Sequence, residues 1–515
     1  MSGTQADTAK QLIEHQSVPE KLAPIAISER IDAMDILRGL ALVGILLMNI
    51  EWFNRAIAGL GTQDTNLTGL DHAVGWLIRC FVEGKFYTLF SLLFGMGFAV
   101  MLLRAKAADR PFGAWFLRRM LILIVFGILH MIFLWGGDIL HSYGFAGLLL
   151  LGWVTLLKKE RFKKYDNPQS FFKSSVIWLS IPIFFTVMSG IGFGVLQDTD
   201  ELTAQWQEEI LVTERVKSIQ LESETDRLGA GSDIPEITML EDDSTTDKLL
   251  PPSEQIATDS VQENVELYEI SAEALIEQQA QAIVAQQQEM AADKAEETVA
   301  FTQDNYWQAT EFRFDFSLFM LMFTVPFAFT MLLPIFILGY WLISSGIMKN
   351  YRQHSRAFKI TAWVGISTGT VMEVAGLLVA QHPVASQVML LQVVGETLFF
   401  IGQYVMTAGY FGLIMCLLIH EKWHKRLSVF SPMGRMALTN YISHSVILTS
   451  IFYGYAGGYF GDISRAPQML IVFAIIAFQL VFSRWWLNNF AFGPLEWLWR
   501  CLSYKRLQPM RLQNS

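Results

Sequence analysis

Long apolar segments separated by short polar loops account for most of the chain. Ten of them approach or exceed the ~20 residues that a helix needs to cross the hydrocarbon core of a bilayer. They occupy residues 36–53, 86–103, 117–135, 138–157, 174–196, 316–343, 358–380, 388–419, 437–453 and 467–487. The pattern predicts an all-α fold, a polytopic membrane helix bundle of about ten spans.

The composition also indicates a membrane protein. Of the 515 residues, 52% are hydrophobic and only 17% are charged, whereas soluble domains carry about 25% charged residues. This balance excludes a secreted disulfide scaffold, a disordered tail protein and a free nucleic-acid-binding protein. The three cysteines show no CxxC spacing, so we expect neither a disulfide framework nor a metal site.

The acidic residues are concentrated in one segment. Residues 197–313 contain 28 Asp and Glu against 6 Lys and Arg, a charge of −22, whereas the whole chain carries −10. The rest of the chain is therefore at +12. The sequence predicts a mildly basic membrane body that carries one long acidic insertion.

Lysine and arginine recur in every second loop. Short loops rich in these residues stay in the cytoplasm, and here they follow the second, fourth, sixth and eighth spans, with a basic tail after the last. We therefore expect both termini in the cytoplasm and the acidic insertion outside it. In a bacterium this describes a multi-pass protein of the inner membrane, with the lipid bilayer as its first partner.

Four regions follow from these patterns. They are a cytoplasmic N-terminal segment (1–35), membrane helices 1–5 (36–196), the acidic extracytoplasmic insertion (197–313), and membrane helices 6–10 with the cytoplasmic tail (314–515). Within the insertion, residues 262–312 favour a polar helix and residues 228–260 have the composition of a linker. The insertion is either a solvated spacer or a partly helical hairpin that binds an extracytoplasmic protein partner.

Polar side chains inside a bilayer are costly, so those in the first span need an explanation. Asp35 and Arg38 are three residues apart on one helical face. They form either an ion pair that anchors the helix or part of a cytoplasmic anion site. Asn49, near the outer end of the same span, either holds a neighbouring helix or points into a cavity.

The third and fourth spans carry the pair best suited to catalysis. His130 precedes the turn between these spans, and Asp138 opens the next helix. A carboxylate there caps free backbone N–H groups, and it can fix the tautomer of a histidine that exchanges protons near neutral pH. The pair is either a helix cap beside a hydrogen-bonded histidine, or a general base, His130, that opens toward the outer side and is oriented by Asp138.

A stripe of polar residues runs along the ninth span. Two carboxylates lie in the seventh and eighth spans. Asn440 and His444 belong to the stripe and either bond a neighbouring helix or line a substrate path. Glu373 and Glu396 are expected to be buried in the seventh and eighth spans. They are candidates for proton coupling or for structural pairing.

Four motifs in the chain resemble those of the YeiB family, bacterial multi-pass membrane proteins with a C-terminal domain of unknown function. They are residues 30–39, which read RIDAMDILRG and run on to Asn49, the block 130–143, and the segments 434–444 and 493–500. The likeness covers nearly all of the membrane body. The long acidic insertion departs from it, because the family loop at that place is much shorter.

The resemblance relates the chain to transmembrane acyltransferases such as heparan-alpha-glucosaminide N-acetyltransferase. It implies transfer of an acyl group from cytoplasmic acyl-CoA, a co-substrate, to a small-molecule acceptor at the outer face, with no bound cofactor. On this hypothesis His130 deprotonates the acceptor and Asn49 steadies the oxyanion. The phosphates of the donor are held by Arg38, Arg119 and Arg435.

Two other functions remain open. A transporter or exporter of a small molecule would use Glu373, Glu396 and the stripe of the ninth span as a proton-coupled path. A non-catalytic membrane scaffold would act through its acidic arm. The sequence motifs of zinc proteases, ATP motors and serine hydrolases are missing, which argues against those classes.

Overall fold

The computed structural model describes residues 32–57, 67–194, 199–230, 272–382, 384–385 and 388–512. The chain forms two compact units. We call residues up to 196 and from 292 onward the membrane body, and residues 197–291 the insertion unit. Within the described residues the structure is helical, with one isolated β-bridge between Phe490 and Arg511.

Seventeen α-helices occur among the described residues. The first eight are α1 (Asp32–Asn54), α2 (Gly69–Phe81), α3 (Lys85–Ala107), α4 (Gly113–Phe133), α5 (Leu140–Leu157), α6 (Pro168–Gly194), α7 (Thr199–Ala230) and α8 (Ala272–Thr302). The others are α9 (Tyr306–Phe327), α10 (Leu333–Ser344), α11 (Ser355–Gln381), α12 (Met389–Ile419), α13 (Glu421–Leu427), α14 (Ser431–Arg435), α15 (Ala437–Phe452), α16 (Arg465–Asn489) and α17 (Pro494–Tyr504).

The predicted fold class is confirmed. Eight helical stretches of the described chain are long and apolar enough to cross a membrane. They include α1, α4, α5, α11, α12 and α16, together with the continuous pairs α2–α3 and α9–α10. The two remaining predicted spans correspond to α6 and to α15, which has only 16 residues. The count of ten spans therefore stays a prediction.

The junction of α9 and α10 shows how proline shapes a long apolar run. Pro326 lies inside α9, and the helix continues through a π-helical turn, Ala328–Leu332, before α10 begins. Proline cannot donate a backbone hydrogen bond, so the local ladder is rearranged around it. The π-helical turn thus begins two residues after Pro326.

Helix α1 is central to the membrane body and packs against α3, α14, α15 and α16. Its contact with the segment around α14 is very close, because a Cβ atom at Gly39 would collide with the backbone carbonyl of Phe430. A Cβ atom at Gly434 would collide in the same way with the carbonyl of Asp35. This close approach brings Arg38 of α1 beside Arg435, the last residue of α14.

The insertion unit contains α7 and the part of α8 up to residue 291. Val212, Val216 and Ala280 form its small apolar core. Arg215 pairs with Glu277 across the two helices at 2.5 Å, and the guanidinium lowers the pKa of that carboxyl. Within the predicted helical segment 262–312, the structure shows a helix over Ala272–Thr302, whereas the linker predicted at 228–260 lies almost wholly outside the described residues.

Candidate functional site

A cavity of about 250 Å³ lies among α1, α3, α4, α5, α14, α15 and α17 of the membrane body. One end of the cavity lies where α1, α4 and α15 begin, and we call it the basic end. Four arginines line it there: Arg38, Arg119, Arg435 and Arg500. Three of these are the arginines that the sequence singled out as phosphate ligands, so the structure brings all three to one cavity.

Two carboxylates also line the basic end, and both already have protein partners. Asp35 accepts a hydrogen bond from Arg38 at 2.8 Å, which is the ion pair expected from their spacing. Glu496 accepts hydrogen bonds from the backbone N–H groups of Leu438 and Thr439 at 2.6 and 3.0 Å. It therefore caps the first turn of α15, where a negative charge is favoured. Burial raises the pKa of Glu496.

Arg119 is the side chain that best indicates an anion. It is 9% exposed, and its guanidinium carbon lies 3.5 Å from the centroid of the Trp499 ring. Its Nε atom has no hydrogen-bond partner, and no carboxylate of the described chain pairs with it. A buried cation without a counter-ion is costly. The four arginines and two carboxylates leave the lining with an excess of two positive charges.

Away from the arginines, the cavity becomes apolar. Leu42, Ile45, Phe94 and Leu123 line this part, and the cavity reaches Ile139 and Tyr441. Ile139 is the chain neighbour of Asp138, so the cavity ends beside the candidate catalytic pair. A charged mouth with an apolar interior suits an amphiphilic anion, such as a phosphate-bearing group with an acyl chain.

Beyond the apolar part of the cavity, next to Ile139 and Tyr441, lies a buried hydrogen-bond network. His130 Nδ1 is 2.8 Å from Asp138 Oδ1, and His141 Nδ1 is 3.0 Å from Asp138 Oδ2. Asp138 also accepts a hydrogen bond from the backbone N–H of His141 at 3.1 Å. Asp138 therefore both caps α5 and bonds the imidazole of His130, while the role of His130 as a general base stays a prediction.

The second nitrogen of His130 meets a residue that the sequence interpretation did not select. His130 Nε2 is 2.7 Å from Ser445 Oγ on α15. The order serine, histidine, carboxylate is the arrangement of a catalytic triad. His130 is only 3% exposed, and the cavity that approaches it comes from the basic end. The imidazole is closed in this structure, and its opening toward the outer side stays a prediction.

Helical spacing connects the arginines to the buried network. On α1, Arg38, Leu42 and Ile45 line the cavity, and Asn49 is the next residue on that face. On α4, His130 follows Arg119 by the same 11 positions. Eleven residues are about three turns, or roughly 16 Å. Asn49 and His130 therefore lie at similar depth beyond the arginines, although neither lines the cavity itself.

The polar stripe of the ninth predicted span faces another helix. Asn440 Nδ2 donates to Ser483 Oγ at 3.0 Å, and His444 Nε2 lies 2.8 Å from Gln479 Oε1. Gln479 also donates to the backbone carbonyl of Asn440 at 3.0 Å. These contacts bond α15 to α16, so the structure favours the interhelical alternative for Asn440 and His444 over the substrate path.

The two carboxylates proposed for proton coupling, Glu373 and Glu396, lie in different surroundings. Glu373 on α11 is fully buried and pairs with Lys85 of α3 at 2.8 Å. Glu396 on α12 is exposed and accepts a hydrogen bond from Gln392 at 3.2 Å. The expectation that both are buried is wrong for Glu396, because it lies on the outward face of its helix.

Three residues of the site were not predicted. They are Arg500, Tyr441 and Ser445. The spacing of Leu438, Tyr441 and Ser445, three and then four residues apart, was a usable signal, since it places them on one face of α15. Their chemistry became visible only with the partner helix in place.

Comparisons with known proteins agree with the sequence motifs. Residues 342–506 match the family described as protein of unknown function (DUF418). The uncharacterised protein YeiB of Escherichia coli K12 is 24% identical over 493 residues, covering 95% of this chain and all of the relative. The resemblance to the YeiB-like family is confirmed.

Two other relatives are also similar over almost their full length. The uncharacterised protein YxaH of Bacillus subtilis is 27% identical, with 95% of this chain and 98% of the relative covered. An uncharacterised 39.9 kDa protein from the amylase 3′ region of Bacillus acidopullulyticus is 25% identical, with 96% and 99% covered. No solved structure matches the chain. The chain is thus a multi-pass helical membrane protein that is similar to three uncharacterised proteins.

Proposed function

We propose that this YeiB-like protein is a membrane acyltransferase that binds acyl-CoA in the arginine-lined cavity. The observation that supports this most is Arg119, a buried guanidinium that faces the cavity without a carboxylate partner among the described residues. Phosphate groups are the anions that several converging arginines bind best. The positive-inside rule would place this end of the body in the cytoplasm, where acyl-CoA is found.

The distances within the site suit a donor of this shape. The phosphates would lie against Arg38, Arg119 and Arg435, and the pantetheine arm would follow the apolar faces of α1 and α4. Roughly 16 Å separates the arginines from the level of Asn49 and His130 along these helices, a length comparable to an extended pantetheine arm. The thioester would then reach the buried network.

The residues at that level provide the groups that acyl transfer requires. His130, held by Asp138, would act as general base, a contribution typically worth about 10²–10⁴-fold in rate. The Asn49 amide would donate to the oxygen on which negative charge develops. The acceptor is a hydroxyl or amine that we expect to enter from the opposite face of the membrane.

The first test is binding, measured by thermal shift of the detergent-solubilised full-length protein with a series of acyl-CoAs. Specific binding raises the melting temperature with ligand concentration. We expect Arg119→Gln to weaken binding by about tenfold to a hundredfold, the loss of a charge-assisted hydrogen bond.

The control is Arg161→Gln, which makes the same change at an exposed arginine outside the cavity lining. It should leave the affinity unchanged. A flat response of the unmodified protein to every acyl-CoA, or equal affinities for the two variants, would contradict the proposed function.

The transporter alternative lacks a comparable observation. Glu373 and Glu396 do not meet, and Asn440 and His444 bond α16. The described structure therefore gives these four residues no shared path.

A further inference from the structure

We infer that Ser445 is a catalytic nucleophile that carries the acyl group covalently between donor and acceptor. The inference rests on the proposed function and deepens it, because it assigns a two-step mechanism to the same site. It starts from one contact, the 2.7 Å between Ser445 Oγ and His130 Nε2.

Ser445 differs from the serines next to it on α15. A serine in a membrane helix usually bonds a backbone carbonyl of its own helix. Ser443 does so with Asn440 at 2.8 Å, and Ser450 does so with Val446 at 2.6 Å. Ser445 is 1% exposed and has the same helical backbone as these two serines. Its hydroxyl nevertheless contacts an imidazole nitrogen of His130. Packing of a helix alone does not require this arrangement.

The protons of the network are arranged for nucleophilic attack. Asp138 accepts from His130 Nδ1, which leaves Nε2 without a proton in the neutral imidazole, so that the Ser445 hydroxyl donates to it. The other oxygen of Asp138 is held by the backbone and side chain of His141. His141 is fixed in turn by Thr324, 3.0 Å from its Nε2. The carboxylate that orients His130 is therefore itself oriented.

Ser445 lies on the continuation of the cavity wall. Leu438 and Tyr441 line the cavity from α15, and Ser445 follows on the same face, four residues or about 6 Å deeper. The Tyr441 ring separates the cavity from the imidazole, with its centroid 5.4 Å from that of His130. A thioester that displaces this ring reaches the hydroxyl of Ser445 before it reaches the opposite face.

The first step forms an ester. Ser445 Oγ attacks the thioester carbonyl carbon of acyl-CoA while His130 Nε2 takes the hydroxyl proton. The new C–O bond forms, the C–S bond breaks, and His130 returns the proton to the departing sulfur. In this mechanism the amide of Asn49 would donate to the oxygen of the tetrahedral intermediate. The products are acyl-Ser445 and free CoA.

The second step returns the enzyme to its starting state. A hydroxyl or amine of the acceptor attacks the ester carbonyl and gives its proton to His130. The bond from the carbonyl carbon to Ser445 Oγ breaks, and the serine recovers its proton from His130. No oxidant, reductant or further co-reactant takes part.

The decisive experiment labels the serine with an alkyl fluorophosphonate, which reacts with activated serines whatever their acyl donor. The full-length protein in detergent is treated with the probe, digested, and analysed by mass spectrometry. We expect the label on Ser445, and we expect it to be lost in Ser445→Ala and in His130→Gln. Ser450→Ala, the same change at an exposed serine of the same helix, should be labelled as fully as the unmodified protein.

A second measurement uses the natural chemistry. Incubation with acyl-CoA in the absence of acceptor should release up to one thiol per protein molecule and add the acyl mass to the peptide that contains Ser445. Ser445→Ala should lower the transfer rate by about 10³-fold or more, while its thermal stabilisation by acyl-CoA, which reports an intact cavity, stays the same.

Two outcomes overturn the inference, and they differ from failure of the proposed function. If Ser445→Ala transfers acyl groups at more than a tenth of the normal rate, the acyl group passes directly to the acceptor and the acyltransferase proposal stands alone. If neither the fluorophosphonate nor acyl-CoA modifies Ser445, the serine is not a nucleophile. The absence of any acyl-CoA binding, by contrast, overturns the proposed function itself.

Discussion

At the scale of single residues, the position of Asp138 depends on a glycine in the helix opposite. A Cβ atom on Gly127 of α4 would lie 2.7 Å from Asp138 Oδ2 and would also meet the backbone of His141. The carboxylate can approach His130 only because that side chain is missing. The hydrogen-bond network and the close packing of α4 on α5 thus have the same origin.

We expect Gly127→Ala to disturb both the hydrogen-bond network of Asp138 and the packing of α4 on α5. The added methyl group must move the carboxylate or part the two helices, which should cost about 1–3 kcal/mol of stability and lower acyl transfer at least tenfold. Thermal unfolding and the transfer assay measure the two effects on one preparation.

The matched control is Gly152→Ala on α5, where a Cβ atom meets open space. It should be neutral or stabilising by up to about 1 kcal/mol, because alanine is the better helix former. Equal behaviour of the two variants would show that Asp138 does not need its present position.

At this scale, a contact between residues close together in the sequence could be predicted, whereas a contact between distant residues could not. The contact of His130 with Asp138 spans eight residues across one turn, so the sequence could indicate it. The contact of His130 with Ser445 spans 315 residues, and no local pattern reports which helix packs there. Arg38, Arg119 and Arg435 fall between these cases. The sequence shows where each lies along its helix, but it does not show that the three meet at one cavity.

At the scale of helices, α15 and α16 are joined by buried polar groups. Gln479 is central to this contact, since it donates to Asn440 and Ser443 and lies against His444. None of these four side chains lines the cavity. Their role is to hold α15 in the register that presents Tyr441 and Ser445.

We predict that Gln479→Leu destabilises the protein by about 1–3 kcal/mol, because it leaves buried polar groups without partners. The affinity for acyl-CoA should change less than twofold. Melting curves with and without acyl-CoA separate the two quantities.

Val481→Leu provides the comparison, because Val481 is 72% exposed on the same helix and its replacement should leave stability unchanged. If Gln479→Leu instead melted normally but failed in transfer, the stripe would belong to a substrate path after all.

The helices themselves were predictable to the extent that each is defined by its own apolar run. The α9–α10 run was predicted from its apolar length, whereas the π-helical turn inside it depends on how neighbouring helices fill the space. The stripe on α15 was visible as a periodic pattern. Its direction was not, because helical spacing shows which residues share a face and not what that face meets.

At the scale of the whole molecule, the insertion unit is compact by its own contacts. It has a small apolar core and its own cross-helix ion pair. None of the residues lining the cavity or the His130 network belongs to it. The acidic charge and the candidate chemistry therefore belong to separate parts of the chain.

We expect that replacing residues 199–291 by a flexible Gly/Ser linker preserves the chemistry. The shortened protein should reach the membrane and bind acyl-CoA within twofold of the full chain, measured by thermal shift on both proteins in parallel. Normal binding with complete loss of cellular function would instead support the scaffold alternative, in which the acidic arm binds a partner.

The last helix has a consequence for how the protein is made. Arg119 rests on Trp499, and Arg500 completes the ring of arginines, yet both partners come from α17 at the end of the chain. While that helix is still inside the ribosome, the nascent bundle has no finished pocket. Biosynthesis thus delays ligand capture until α17 has been translated, and a chain truncated before Pro494 would lack Trp499 and Arg500 of the pocket.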